Sequence, residues 1–231
     1  MIKNLISDSL FFGIILSLAA YGVGIIAKKR LKLFIFNPLL IAIALTIIIL
    51  LVSGIEYAEY NNGAKYLSFL LTPATICLAI PLYEQYKLLK KNFTAIMIGI
   101  ASGVFTSLTT IFIMSLLFKL GHFEYVTLLP KSITTAIGIG LSQELQGYVA
   151  ITVASIMITG LFGNIAGEFI CKLCGIKHPI ARGIAIGTSA HVMGTAKALQ
   201  MGQIEGAMSS LSIAVAGCMT VAGAILYSAL I

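Results

Sequence analysis

Apolar stretches of about 20 residues, separated by short charged clusters, recur along this chain, and about 20 residues is what a helix needs to cross roughly 30 Å of hydrocarbon. Taken in order, they predict crossings at 7–27, 34–54, 66–86, 93–118, 148–173, 180–200 and 206–230, about seven in all. A further stretch at 130–146 is too short to cross as a helix. Strands of a membrane barrel alternate apolar and polar positions, whereas these stretches are continuously apolar. With no water to satisfy the backbone, the remaining solution is helical. The predicted fold class is therefore an all-α, polytopic transmembrane bundle with one re-entrant segment.

The charged clusters orient it. Counting Lys and Arg alone, the connector 28–33 holds four, 87–91 three and 172–182 three, while 54–65 holds one beside Glu56 and Glu59. Basic connectors stay on the cytoplasmic side. All three rich connectors reach that side only if 130–146 enters and leaves from outside, which puts the N-terminus outside and the C-terminus inside. Crossings 34–54, 66–86 and 93–118 then oppose 148–173, 180–200 and 206–230, as an inverted repeat of three-helix units would. The units cover 34–118 and 148–230, joined by 119–147, within a single transmembrane domain, 1–231. Each middle member is interrupted, by Thr72-Pro73 and Ile80-Pro81 in one and by the run from Gly187-Thr188-Ser189 to Gly194-Thr195 in the other.

Composition closes off other classes. Apolar residues make up 59% and charged residues 10% of the chain, too few charges to cover a water-soluble surface. The net charge of +7 sits in connectors beside apolar runs, so it reads as membrane orientation and not as a nucleic-acid surface. Ser17-Leu18-Ala19 imitates a signal-peptidase site, but the basic cluster Lys28, Lys29, Arg30 and Lys32 marks a retained first helix. Cys77, Cys171, Cys174 and Cys218 lie in or beside apolar segments, so free thiols are expected. Cys171, Cys174 and His178 offer three ligands where a structural zinc takes four, so no metal is expected. Phosphate-cradling loops and nucleophile–base–acid sets are missing from the sequence, which gives no case for an enzyme or a cofactor.

Candidate chemistry lies where polar residues interrupt apolar runs. Pro73 removes an amide donor and clashes with the preceding turn, so its helix kinks or breaks, with Thr72 and Thr75 able to satisfy the freed carbonyls. The kink serves either packing or a substrate site. Pro130, Lys131, Ser132, Ile133, Thr134 and Thr135 read as a helix start, where hydroxyls and a lysine beside a positive terminus suit a carboxylate or phosphate. Lys131 is otherwise a snorkelling lysine. The densest polar run spans Arg182 to Lys197 and includes Thr188, Ser189, His191, Gly194 and Thr195. Gly183 and Gly187 have the spacing of close helix contacts, as do Gly99 with Gly103 and Gly163 with Gly167. An ionisable group at membrane depth normally faces a polar pathway, which applies to His191 and Lys197. Six residues apart, these two cannot share a face of a straight helix, so the helix is interrupted or they serve different surfaces. Glu168 and Lys172, four apart, are placed to pair.

The motifs at Leu71-Thr72-Pro73-Ala74-Thr75, Ala79-Ile80-Pro81-Leu82-Tyr83, Pro130-Lys131-Ser132-Ile133-Thr134-Thr135, His178-Pro179-Ile180-Ala181-Arg182-Gly183, Gly187-Thr188-Ser189-Ala190-His191 and Gly194-Thr195-Ala196-Lys197-Ala198 resemble those of the LrgB/CidB family. Glu205-Gly206-Ala207 and Ser209-Ser210-Leu211 extend the likeness, which spans about residues 60 to 231. The resemblance implies a multi-pass protein of the bacterial inner membrane, with a smaller LrgA/CidA-like partner and an antiholin-like role in murein hydrolase export and autolysis. It also implies kinship with a plastid glycolate/glycerate carrier and with bacterial pyruvate facilitators. Ala136 stands where the family commonly has a second proline, and Lys197 where it often has arginine; a lysine keeps the charge but loses the bidentate fork.

Two functions follow as expectations. One is a secondary carrier of small monocarboxylates, whose anion meets helix starts and a cation, with Lys197 and His191 essential and His191 able to carry a proton. The other is an antiholin-like regulator acting through association with a small membrane partner or with its own copies, using the GxxxG pairs.

Overall fold

The computed structural model describes residues 11–31, 37–70, 73, 76, 77 and 79–231. Every regular element among the described residues is a helix. Four helices are long and apolar enough to cross a membrane, Phe12–Arg30, Phe93–Leu117, Val149–Leu173 and Gln203–Ser228. The chain divides into two compact units, 1–77 and 78–231.

In the first unit α1 (Phe12–Leu31) packs on α2 (Pro38–Ser53) and α3 (Tyr57–Ser68). Asn37 caps α2 by accepting from the Leu39 amide at 2.8 Å, Pro38 follows where a missing N–H is harmless, and Gly54 ends the helix at φ 61°. Glu56 and Glu59 form a reciprocal capping box on α3. Close approach rests on glycines: Gly13 lies against Tyr60 and Ala64, and Gly24 against Pro38. The hydroxyls of Ser17 and Tyr60 share a hydrogen bond of 2.8 Å.

The second unit contains α4 (Ala79–Glu84), α5 (Tyr86–Lys91), α6 (Phe93–Leu117), α7 (His122–Leu128), α8 (Thr135–Glu144), α9 (Val149–Leu173), α10 (Pro179–Met201) and α11 (Gln203–Ser228). Along α6 the buried positions Ile96, Ile100, Val104, Leu108, Ile111 and Ser115 recur every three or four residues and trace one inward face.

Helix α10 does not run straight. Ala190 (φ −132°, ψ 17°) and His191 (φ 41°, ψ −138°) leave helical geometry, and the chain doubles back there. Gly187 and Thr195 would lie about 12 Å apart along a continuous helix, yet both meet Ser209. A Cβ on Gly187 would come within 2.8 Å of Ser209 Oγ, and Thr195 Oγ1 is hydrogen-bonded to that same atom at 2.7 Å. Likewise Ile186 and Ala198 share one small core with Cys171. The segment expected to cross at 180–200 is thus a helical hairpin with limbs 179–189 and 192–201, entering and leaving at the same end of the unit. The sequence run flagged as an interruption is its tip.

Glycine spacing explains how the descending limb fits. Gly99 and Gly103 of α6 face Ile184 and Thr188, while Gly163 and Gly167 of α9 face Ala190 and Ile186. On the limb itself, Gly183 lies against Glu205 and Met208, and Gly187 against Ser209, all on α11. Three helices therefore clamp one limb through GxxxG-type surfaces, since in lipid close backbone packing replaces the hydrophobic drive. Both pairs expected to serve a partner are filled from within the chain.

At the other end of the unit α7 and α8 both pack on α9, and the chain turns back between them at 129–134. At the base of this pair Thr127 Oγ1 accepts from the Tyr148 amide at 2.8 Å, Thr152 donates to Thr127 O at 2.8 Å, and Ser142 shares a 2.8 Å bond with Thr152. His122 bonds Ile231 O at 2.7 Å and Tyr125 donates to Tyr227 O at 2.9 Å, so the end of α11 lies beside this base. Because α10 folds back, Ile231 stands at the end of the unit opposite Pro179, whereas a full crossing at 180–200 would have brought the two to one end.

Candidate functional site

The two hairpin tips approach each other around α9 and α6. His191 Nε2–H donates to Ile156 O at 3.1 Å, and Gly138 of α8 packs directly on the Ile156 side chain. A carbonyl can only accept, so this bond fixes the proton on Nε2. On α6, Gly103 faces Thr188 beside one tip and Ser107 faces Ser132 at the other, one helical turn further on.

At the α10 tip the polar groups are hydrogen-bonded, and all but Ser189 are buried or half-buried. His191 is 3% and Thr195 0% exposed. Thr195 donates to His191 O at 2.9 Å, in addition to its bond with Ser209. Asn164 of α9 donates to Met193 O at 2.6 Å, satisfying a carbonyl next to the break. Thr188, buried, and Ser189, exposed, donate to Ile184 O and Ala185 O, each at 2.7 Å. Gly194 lies where its Cβ would press on Ala190 and Ile186, so it sets how tightly the limbs close. Gly160 makes room for the His191 ring, 2.7 Å from where a Cβ would stand.

At the other tip Lys131 Nζ donates to Ser132 Oγ at 3.0 Å, and Ser132 Oγ stands 3.4 Å from Ser107 Oγ. Thr134 is the N-cap of α8 in extended geometry with no side-chain cap bond, and Thr135 begins the helix; both are half-buried. The first amides of a helix lack intrahelical acceptors, so this terminus carries partial positive charge.

The remaining candidates lie elsewhere. Lys197, on the returning limb, is ion-paired to Glu168 of α9 at 2.6 Å, and Glu168 also holds Lys172 at 2.8 Å, the pairing expected from their spacing. Pro73 belongs to the first unit and is exposed. Thr72 and Thr75 fall outside the described residues. Ser107, Ile156, Asn164 and Ser209 join the site without having been singled out for it. Ser107 and Asn164 carried the signal of polar side chains within apolar helices; Ile156, acting through its carbonyl, carried none.

Apolar helices of crossing length, packed through glycines and enclosing hydrogen-bonded polar tips, define an α-helical membrane protein. The chain belongs to the LrgB-like family, whose model matches residues 17–230. It is 39% identical over 212 residues, 91% of this chain and 92% of the relative, to the antiholin-like protein LrgB of Bacillus subtilis (strain 168). Antiholin-like LrgB proteins of Bacillus cereus (strain B4264) and Bacillus anthracis (strain CDC 684 / NRRL 3495) match with the same identity and the same shares. No solved structure matches the chain.

Proposed function

We propose that this protein is a multi-pass secondary carrier or facilitator of small monocarboxylates, of the pyruvate, glycolate and lactate class, in the bacterial inner membrane. In this reading the hairpins re-enter the bilayer from opposite faces and their tips bring helix starts and hydroxyls to mid-depth. The observation that carries it is the convergence of both tips on Ile156, through His191 on one side and Gly138 on the other. Discontinuous helices meeting at mid-membrane are how carriers expose positive helix termini to an anionic substrate. Rocking one hairpin against the other would open the site to alternate faces.

Purified protein in liposomes should accumulate labelled pyruvate, glycolate or lactate against protein-free controls. Folded protein giving no flux across a broad carboxylate panel sinks the proposal.

A second reading is favoured by the names of the relatives, which are antiholin-like proteins; it makes this chain a regulator of murein hydrolase export and autolysis, with the small LrgA/CidA-like partner that the family resemblance implies. Co-purification of the two membrane proteins, and a lysis phenotype that depends on the partner gene, would support it. An unchanged phenotype without the partner removes its basis.

A further inference from the structure

Most polar groups in the second unit are already committed. Thr106, Thr188, Ser189, Thr195, Ser210 and Ser212 each donate to a carbonyl of the preceding turn, the usual fate of a hydroxyl in an apolar helix. Lys197 is neutralised by Glu168. Lys131 is different: it has no acidic partner among the described residues, and its bond is to Ser132 Oγ at 3.0 Å. Neither Ser132 nor Ser107 reaches a carbonyl, and their oxygens stand 3.4 Å apart, longer than a well-made O–H···O bond. Ser132, only 7% exposed, accepts from Lys131, so its own proton remains free to donate. One cation and two hydroxyl donors thus face each other with no anion among them, in surroundings where an uncompensated charge is costly.

From this geometry we infer that Lys131, Ser132 and Ser107 form the carboxylate-binding pole of the carrier, and that Lys197 is a structural cation that does not touch substrate. The inference rests on the carrier reading and makes it specific. Lys131 supplies a charge-assisted bond to one carboxylate oxygen, and the two serine hydroxyls donate to the carboxylate between them. With a single positive charge at the pole, the ligand is a monoanion; a second carboxylate would have no counter-charge here. Ser107 lies one turn from Gly103, which faces Thr188, so the rest of a small substrate would extend toward the α10 tip.

The test uses full-length protein, with labelled pyruvate as probe and succinate as the dicarboxylate competitor. Equilibrium binding is measured in detergent and uptake in liposomes, on Lys131→Ala, Lys131→Arg, Ser107→Ala, Ser132→Ala and the double variant Lys197→Met/Glu168→Gln. Loss of the charged contact should weaken pyruvate binding by about tenfold or more. Arginine should restore part of it, and each serine variant should raise KM more than it lowers kcat. The double variant, which removes both partners together, should bind pyruvate as the unaltered protein does, and succinate should compete poorly. Unchanged binding in monodisperse Lys131→Ala, loss confined to the Lys197 variant, or succinate competing as well as pyruvate each overturns the assignment. Lys131-dependent binding without any flux keeps the pole and rejects the carrier; flux that ignores Lys131 keeps the carrier and rejects the pole.

Discussion

Lys197 Nζ lies 2.6 Å from Glu168 Oε2 and so fastens the returning limb of α10 to α9. Lys172 holds the other carboxylate oxygen at 2.8 Å, and together the two cations hold the Glu168 carboxylate between them. The Glu168 side chain is one-third exposed, so solvent screens the pair and its contribution is modest. Glu168→Gln should lower stability in detergent by about 1 kcal/mol or less. A double-mutant cycle with Lys197→Met should be non-additive, because each single change already removes the bond. Fully additive thermal shifts would mean that the two side chains do not interact.

Gly163 faces Ala190 so closely that an added methyl group on the glycine would overlap the alanine Cβ. Gly163→Ala should therefore destabilise by about 1–3 kcal/mol through overpacking, and Gly163→Leu should prevent folding. The complementary pair Gly163→Ala with Ala190→Gly should recover most of the loss in a thermal-unfolding assay. Failure of that rescue would place the strain somewhere other than the α9–α10 contact. Gly163→Leu is also the substitution a partner-binding GxxxG face would single out, and here its damage is expected without any partner present.

How far these contacts were legible in the sequence depends on the kind of signal each one leaves. That 130–146 holds no crossing helix was readable from its length, and the structure has only the ten-residue Thr135–Glu144 helix there. The glycine spacings at 99/103, 163/167 and 183/187 announced close packing, though not the limb that fills them. The fold-back of α10 stayed hidden because residues 179–201 have the length of a crossing and contain no proline beyond Pro179. The clue that His191 and Lys197 cannot share a face of a straight helix was correct in substance, since the chain breaks at 190–191. Pairing of Lys197 with Glu168 could not be seen, as it joins residues 29 positions apart on two helices, and only the local Glu168–Lys172 partner obeys helical spacing.

His191 holds φ 41°, a left-handed conformation that a residue with a Cβ adopts at some cost. Glycine takes that conformation freely but forfeits the bond to Ile156 O. His191→Gly should consequently be more stable than His191→Ala by about 0.5–1 kcal/mol, while His191→Val, branched at Cβ, should be the worst of the three. Equal melting temperatures for all three variants would show that the turn is not strained. Whatever the ranking, each of the three variants that folds should transport more slowly, because each loses the bond that ties the α10 tip to α9.

The doubling back of α10 has a topological consequence open to a direct test. Seven full crossings would return the C-terminus to the face that carries the basic connector 172–182. In the structure the limbs 179–189 and 192–201 begin and end at the same end of the unit as that connector, so α11 starts there and finishes at the other end, where Ile231 O meets His122. A phosphatase reporter joined after Ile231 should therefore be active outside the cytoplasm, and the same reporter inserted near Gly175 should be inactive. Cysteine labelling provides a check without fusions: an impermeant maleimide applied to intact cells should modify a cysteine introduced at Leu230 but spare Cys174, which is exposed at the opposite end. If both positions report the same face, α10 crosses completely, the contacts of Ser209 with Gly187 and Thr195 cannot coexist, and the opposed-hairpin site is lost with them.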